Sequence, residues 1–237
     1  MSASEQSSGK PIFTGDYIAF SPFDRVALAQ LIRKVAHPAC RMAEVGSWLG
    51  NGSTQIFLQE LGPLPRSTLL CVDTWQGNPN VQRHQTIVAE YDVFGTFRSN
   101  VAAVASGIKV QALVADSVDA ASFIADGAFD LVFIDADHSY GAVTADITAW
   151  RSKVRAGGIL CGHDCEDRVT LENRARLLEN QHTDAIPGDG TPFAVVHPGS
   201  VLAVHEAFAG QAMLCAETPV TLGDGTLGRS TIWYVQL

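Results

Sequence analysis

The chain is poor in positive charge: 16 Lys and Arg stand against 25 Asp and Glu, giving a net charge of -9 over 237 residues. That balance argues against a protein built to neutralise a phosphate backbone, so nucleic acid is not an expected partner. Long apolar runs are missing as well. No stretch approaches the roughly 20 residues of a membrane span, and the opening MSASEQSSGK has no hydrophobic signal core, so we expect a cytoplasmic protein without membrane contact. Cysteine is scarce and odd in number. Cys40, Cys71, Cys161, Cys165 and Cys215 sit mostly in apolar runs, which suits reduced, buried thiols better than a disulfide framework. Cys161, His163 and Cys165 fall close together, but a second pair of ligands is lacking and alternate strand residues face opposite ways, so a structural zinc is not expected. Internal repeats and low-complexity tracts are also absent.

What is present is an alternation of strand-like and helix-like segments, which predicts a doubly wound α/β sheet. Residues 1–10 are polar and expected to be disordered, and 11–237 to form one domain, with 11–38 as an N-terminal helical cap. There Ser21 reads as an N-cap, Pro22 as the first helical residue and Asp24 as a first-turn acid. Leu28, Leu31, Ile32 and Val35 follow at helical spacing. Tyr17, Phe20 and Phe23 just before them have two readings, core or pocket mouth. Strands are expected at 43–45, 69–73, 108–114 and 129–135, the last a continuous apolar run of the kind buried on both faces. A long helical segment should run through Tyr91, Phe94, Phe97 and Val101. Another is marked by Val143, Ile147, Trp150 and Val154, ended by Gly157 and Gly158 before a strand at 159–161. Residues 166–192 read as a helix and then a mobile loop near the active face. Short runs at 193–196, 213–216 and 231–235 are expected to complete the far edge of the sheet.

Ligands of such sheets sit outside the carboxyl ends of the strands. Those ends carry Glu44 to Ser47, Asp73, Asp116 and Ser117, Asp135 to His138, and His163 and Asp164. Glycines in the first turn let backbone approach a ligand, and an acid ending the second strand accepts both hydroxyls of a ribose. A nicotinamide-dependent oxidoreductase is the obvious competitor. However, Gly46, Gly50 and Gly52 miss the G-x-G-x-x-G spacing that sets a helix start on pyrophosphate, and Trp48 is bulky where that loop is slim. Glu44 would repel a pyrophosphate, whereas it would attract a cation or amine.

Taken in order, the segments around Glu44 to Ser53, Val72 to Trp75, Phe97 to Asn100, Asp116 and Ser117, Phe133 to Tyr140, and Gly157 to Asp164 resemble the motifs of class I S-adenosylmethionine-dependent methyltransferases. More narrowly they resemble methyltransferase family 24, which is similar to small-molecule O-methyltransferases. The likeness spans roughly residues 40–165. It implies a Rossmann-like sheet, mostly parallel with an antiparallel C-terminal strand. It also implies that the loop of Glu44, Gly46, Ser47, Trp48 and Ser53 wraps the methionine end, that Asp73 takes the ribose, and that Asp116 and Ser117 face the adenine. Trp75 is either a nucleoside contact or core. Asp135 would lie near both the methionine portion and the methyl acceptor.

For chemistry, the resemblance implies in-line transfer to an oxygen, with His163 or His138 as base beside Asp135. Related enzymes use a divalent ion such as magnesium to activate the acceptor. Asp135 and Asp164 match two ligand positions, but Cys165 stands where an asparagine is expected, which leaves His163 or Asp137 to complete the set. The expected acceptor is a small molecule bearing a sugar hydroxyl or phenol, in a protein that pairs as a homodimer. A non-catalytic nucleoside-binding protein on the same scaffold is the remaining alternative.

Overall fold

The computed structural model describes residues 9–17, 20–105 and 107–237, so most of the expected disorder at 1–10 lies outside the described residues. The first half of the chain runs α1 (Pro22–Val35), β1 (Arg41–Val45), α2 (Ser53–Leu61), β2 (Thr68–Asp73), α3 (Gln82–Glu90), α4 (Val93–Val104) and β3 (Lys109–Val114). It continues α5 (Ser117–Ser122), β4 (Phe129–Ile134), α6 (Tyr140–Arg151), β5 (Val154–Gly162), α7 (Arg174–Glu179), β6 (Ile186–Pro187), β7 (Val195–Val196) and α8 (Pro198–Ala207). The tail adds β8 (Met213–Leu214), β9 (Val220–Thr221), β10 (Leu227–Gly228) and β11 (Trp233–Gln236).

Seven strands form one sheet in the order β3-β2-β1-β4-β5-β11-β8, parallel except for β11, which runs antiparallel to both its neighbours. This is the doubly wound sheet with an antiparallel C-terminal strand that the sequence predicts. Every residue of β4 is buried, because apolar layers cover both sheet faces. Met42, Leu69, Leu131, Phe133 and Cys161 pack under α1, α2 and α4, while Val45, Val132, Ile134 and Leu160 pack under α6 and α8. The chain begins its first helix as expected: the Ser21 hydroxyl accepts from the Asp24 amide, and the Asp24 carboxylate accepts from the Ser21 amide. Among the described residues, no helix is long and apolar enough to cross a membrane.

Four expectations need correction. The segment through Tyr91 and Val101 is two helices, because Asp92 turns extended and accepts from the Gly95 amide, which starts α4 anew. Val154 belongs to β5, not to the preceding helix; it packs in the same apolar layer as Ile147 and Trp150 and so continues their burial pattern after the chain has turned. Gly157 and Gly158 lie inside β5 at an irregularity in its pairing with β4 rather than ending a helix. Residues 195–196 do not join the main sheet. They pair with β6 in a separate ribbon that leads into α8, a helix the sequence reading missed.

One polar tie fixes the base of the sheet. Asp130 opens β4 and accepts from the backbone N–H of Arg41 (2.7 Å), from His37 Nε2 (2.9 Å) and from Arg155 Nε (2.6 Å), which links three elements. Burial raises its pKa, but these donors outweigh that and hold it below the ordinary value. Its stabilising contribution is therefore present above the ordinary value of 3.8 and lost as pH falls through the lowered one. We expect Asp130→Asn to cost about 1–3 kcal/mol at neutral pH. In urea denaturation the gap from the unsubstituted protein should close in acid; a gap that ignores pH would remove this carboxylate from the account.

Candidate active site

The loop after β1 is organised by an acid that never reaches solvent. Glu44 lies on the α2 side of the sheet with Met42, fully buried, and accepts hydroxyl hydrogens from Ser47 (2.8 Å), Ser53 (2.6 Å) and Thr54 (2.7 Å). Burial pushes its pKa up to about 7, against the pull of those hydroxyls. Glu44 lines neither cavity described below, so it holds the loop and does not present a charge to a ligand. That replaces the direct attraction of a cation inferred from its position. Strand alternation carried the signal: Met42 and Glu44 share a face, opposite Ala43 and Val45. Ser53 serves the same clamp.

Gly46 follows at φ 88°, and a Cβ there would stand 1.9 Å from the backbone oxygen of Asp135. Only glycine lets the ends of β1 and β4 meet so closely. Trp48 then takes a left-handed φ of 43°, which aims its backbone N–H at Asp73 Oδ2 (2.7 Å). Asp73 Oδ1 accepts from the Trp75 amide at 2.6 Å. Burial raises the Asp73 pKa even so.

Two cavities open at the carboxyl ends of the strands. The first, of about 380 Å³, is lined by Gly46, Trp48, Asp73, Asp116, Ser117, Asp135, Asp137 and Asp146, among others. Here Asp116 caps α5 through the Val118 amide (2.9 Å), Ser117 accepts from the Trp150 indole (2.8 Å), and burial raises Asp146 to about 6. Trp75 is absent from this wall. It is buried against Phe94 and Phe97 and donates its indole N–H to the Trp48 carbonyl (2.8 Å), which makes it core. The second cavity, of about 280 Å³, shares Gly46, Trp48, His84, Asp135 and Ala136 with the first. Tyr17 and Phe20 form part of its wall, and Phe20 is core as well.

At the far end of the second cavity imidazoles and carboxylates converge. His138 Nε2 lies 3.0 Å from Asp164 Oδ2 and its Nδ1 3.0 Å from Asp184 Oδ1. His163 Nδ1 lies 3.0 Å from Asp164 Oδ1, with Asp24 3.3 Å from the other nitrogen. His197 Nδ1 meets Glu166 Oε1 at 2.6 Å. Burial alone would lower all three imidazole pKa values, yet the surrounding carboxylates, Asp164 foremost, raise them. Burial likewise works against Asp164, which the three histidines hold well below the usual carboxylate range.

The expected metal set of Asp135, Asp164 and His163 is only partly assembled. His163 Nδ1 lies 3.0 Å from Asp164 and 3.7 Å from Asp135, but among the described residues the close group of three donors at these acids includes His138 in its place. Asp137 is spent on the Ser139 amide, and Cys165 points into the apolar layer beneath α8. The sequence reading missed Asp184, Glu166 and His197. They lie beyond the motif region, and the only hint was the expectation that 166–192 borders the active face.

A family model for a methyltransferase domain, that of methyltransferase family 24, matches residues 43–165, more than half of the chain. No curated protein sequence matches. Among solved structures, an O-methyltransferase from Bacillus cereus in complex with SAH is 17% identical, with 95% of this chain and 84% of that one covered at a TM-score of 0.53. The O-methyltransferase TomG from Streptomyces achromogenes, involved in tomaymycin synthesis and in complex with SAM, is 16% identical over 91% of this chain and 80% of its own, with a TM-score of 0.53. The O-methyltransferase NovP gives 16%, 90%, 78% and 0.55 for the same measures. These likenesses establish a shared fold.

The Glu44 clamp carries a pH signature. Between the ordinary glutamate value of 4.5 and about 7 the folded protein keeps a proton that the unfolded chain has released, so stability from this group falls as pH rises across that window. In urea denaturation, the stability of the unsubstituted protein relative to Glu44→Gln should therefore decline from pH 4.5 to 7. A flat or rising difference would contradict the clamp.

Proposed function

The chain belongs to methyltransferase family 24, and on that premise we propose that it moves a methyl group from S-adenosylmethionine to a hydroxyl oxygen of a small, polyhydroxylated molecule such as a sugar. The observation that carries this reading is the pair of adjoining cavities, one walled by the nucleoside-type acids and one by imidazoles and carboxylates, meeting at Gly46 and Asp135. A donor in the first and an acceptor in the second would face each other across that junction. Reaction then follows largely from alignment.

S-adenosylmethionine supplies a methyl on a sulfonium: the acceptor oxygen bonds to the methyl carbon as the carbon–sulfur bond breaks, and the electron pair stays on sulfur. The chain's own residues do the rest. Asp73 has lone pairs left after its two amide bonds, and these suit a ribose diol. Asp116 and Ser117 line the same cavity and would face the adenine. The Trp48 indole N–H is buried without a partner at the wall the two cavities share, a donor for whichever ligand lies there. His163 or His138, in its neutral form, would take the hydroxyl proton, and the flanking carboxylates then favour the charged ring. Tyr17, Phe20 and Trp48 give the acceptor an aromatic wall, while Asp135, Asp164 and Asp184 accept from its hydroxyls. Donor chemistry at Asp135 and Asp164 also fits a divalent cation, which would lower the pKa of an acceptor hydroxyl.

Calorimetric titration tests the reading. S-adenosylmethionine and S-adenosylhomocysteine should both bind, and Asp73→Asn, shown to be folded by circular dichroism, should weaken them about 10- to 100-fold. Folded protein that binds neither would overturn the proposal.

A further inference from the structure

The second cavity is lined by Asp135, Asp164 and Asp184, with Glu166 behind them, and neither Lys nor Arg is among its lining residues. Among those lining residues the histidines are the groups that can carry positive charge, with Arg83 behind the Tyr17 ring. His138, Asp184 and His197 bring ligand atoms within 4.8 Å of one another, as do Asp135, His138 and Asp164, and so do Asp164, Glu166 and His197. The groups share residues but not ligand atoms: His138 meets Asp184 through Nδ1 and Asp164 through Nε2, so each group is a separate candidate position. The assembly of the first depends on the part of the chain that the family match does not reach. Gly199, at the start of α8, sits where a Cβ would be 2.2 Å from the His138 carbonyl oxygen, and this packing sets the His197 ring 4.9 Å from the His138 ring.

His197 is held as a metal-binding imidazole is usually held. Glu166, which is 4% exposed, accepts from both the His197 backbone N–H (3.0 Å) and ring Nδ1 (2.6 Å). That fixes the tautomer and leaves Nε2, which makes no hydrogen bond to protein, as the free lone pair on a ring lining the cavity. Two imidazoles among carboxylates are not a magnesium cage, since that ion prefers an octahedron of oxygens and retained waters. They match a borderline dication instead. We propose that His138, His197 and Asp184, one of these close groups, bind a transition-metal dication of the zinc or cobalt class, with Glu166 positioning His197. This deepens the proposed function by naming the cation and its holders, but binding of the metal alone does not require methyl transfer.

The experiment uses full-length protein freed of metal by chelation and titrated with Co²⁺, Zn²⁺ and Mg²⁺ by calorimetry and, for cobalt, visible absorption, without S-adenosylmethionine. Zinc and cobalt should bind one ion per chain at least about 100-fold more tightly than magnesium. His197→Ala and Asp184→Asn should each weaken cobalt about 100-fold and alter its spectrum, and Glu166→Gln should weaken it about 10-fold. Circular dichroism establishes that each variant is folded. Asp184 is the safer of the two ligand substitutions, since its carboxylate is hydrogen-bonded only to His138. Magnesium binding as tightly as cobalt, no cobalt binding, or folded Asp184→Asn with unchanged cobalt affinity would each overturn the site. Metal binding without S-adenosylmethionine binding would leave this site standing and refute the proposed function; the converse would do the reverse.

Discussion

The site rests on one buried carboxylate. Glu44 has no solvent and no cation, so its two oxygens must be satisfied by neighbours, and three hydroxyls from the loop and the first turn of α2 do this. The requirement works in both directions. A side chain that must be bonded from above pins Ser47 and Ser53, and the loop between them then has little freedom. Trp48 is thereby carried into a left-handed conformation that no isolated tryptophan favours, and its amide reaches Asp73. Remove the carboxylate and the path from β1 to α2 loses its centre.

The same economy of space joins the two cavities. Because Gly46 has no Cβ, β1 ends against the Asp135 carbonyl, and a single thin wall of Gly46, Trp48, His84, Asp135 and Ala136 serves both sides. Trp48 stacks on His84 at 4.4 Å, and the Tyr17 hydroxyl meets His84 Nε2 at 2.5 Å, so the N-terminal segment and α3 are tied into that wall. Burial lowers the His84 pKa, whereas neighbouring carboxylates raise those of His138 and His163 deeper in the second cavity. One cavity thus contains imidazoles pushed in opposite directions. The difference comes from how many carboxylates each ring touches.

Most of the fold could be read from the sequence because it is written in local patterns. The apolar run Leu131 to Ile134 of β4 demands burial on two faces, and Ser21, Pro22 and Asp24 mark the start of α1 without reference to anything distant. The acids of the first cavity were legible for the same reason, as Asp73 ends β2 and Asp116 follows shortly after β3. What could not be read depends on contacts between remote segments. Strands β6 and β7 have two residues each, too few to show alternation, yet their pairing carries Asp184 and His197 to the cavity. Glu44 was visible, but its role was not. An acid beside a glycine loop can face a ligand or the core, and only its three hydroxyl partners, two of them across the loop, decide between these. Trp75 gave the same ambiguity and the same answer.

The distribution of charge also limits where the catalytic advantage can arise. Carboxylates facing a sulfonium stabilise the bound donor at least as well as a transition state in which its positive charge is already spreading, so acids in the first cavity favour binding more than rate. For the same reason they hold a neutral thioether product less firmly, which helps it leave. On the proposed reading rate then comes from the second cavity, where a hydroxyl would be aimed and relieved of a proton. That is where the chain concentrates its costliest features: left-handed Asp164, three buried or half-buried imidazoles, and the close approach of Gly199 to the His138 loop. On the proposed reading, the presence of that arrangement at the mouth of β4 and β5, one thin wall away from Asp73, is what would make this scaffold a transfer site as well as a binding site.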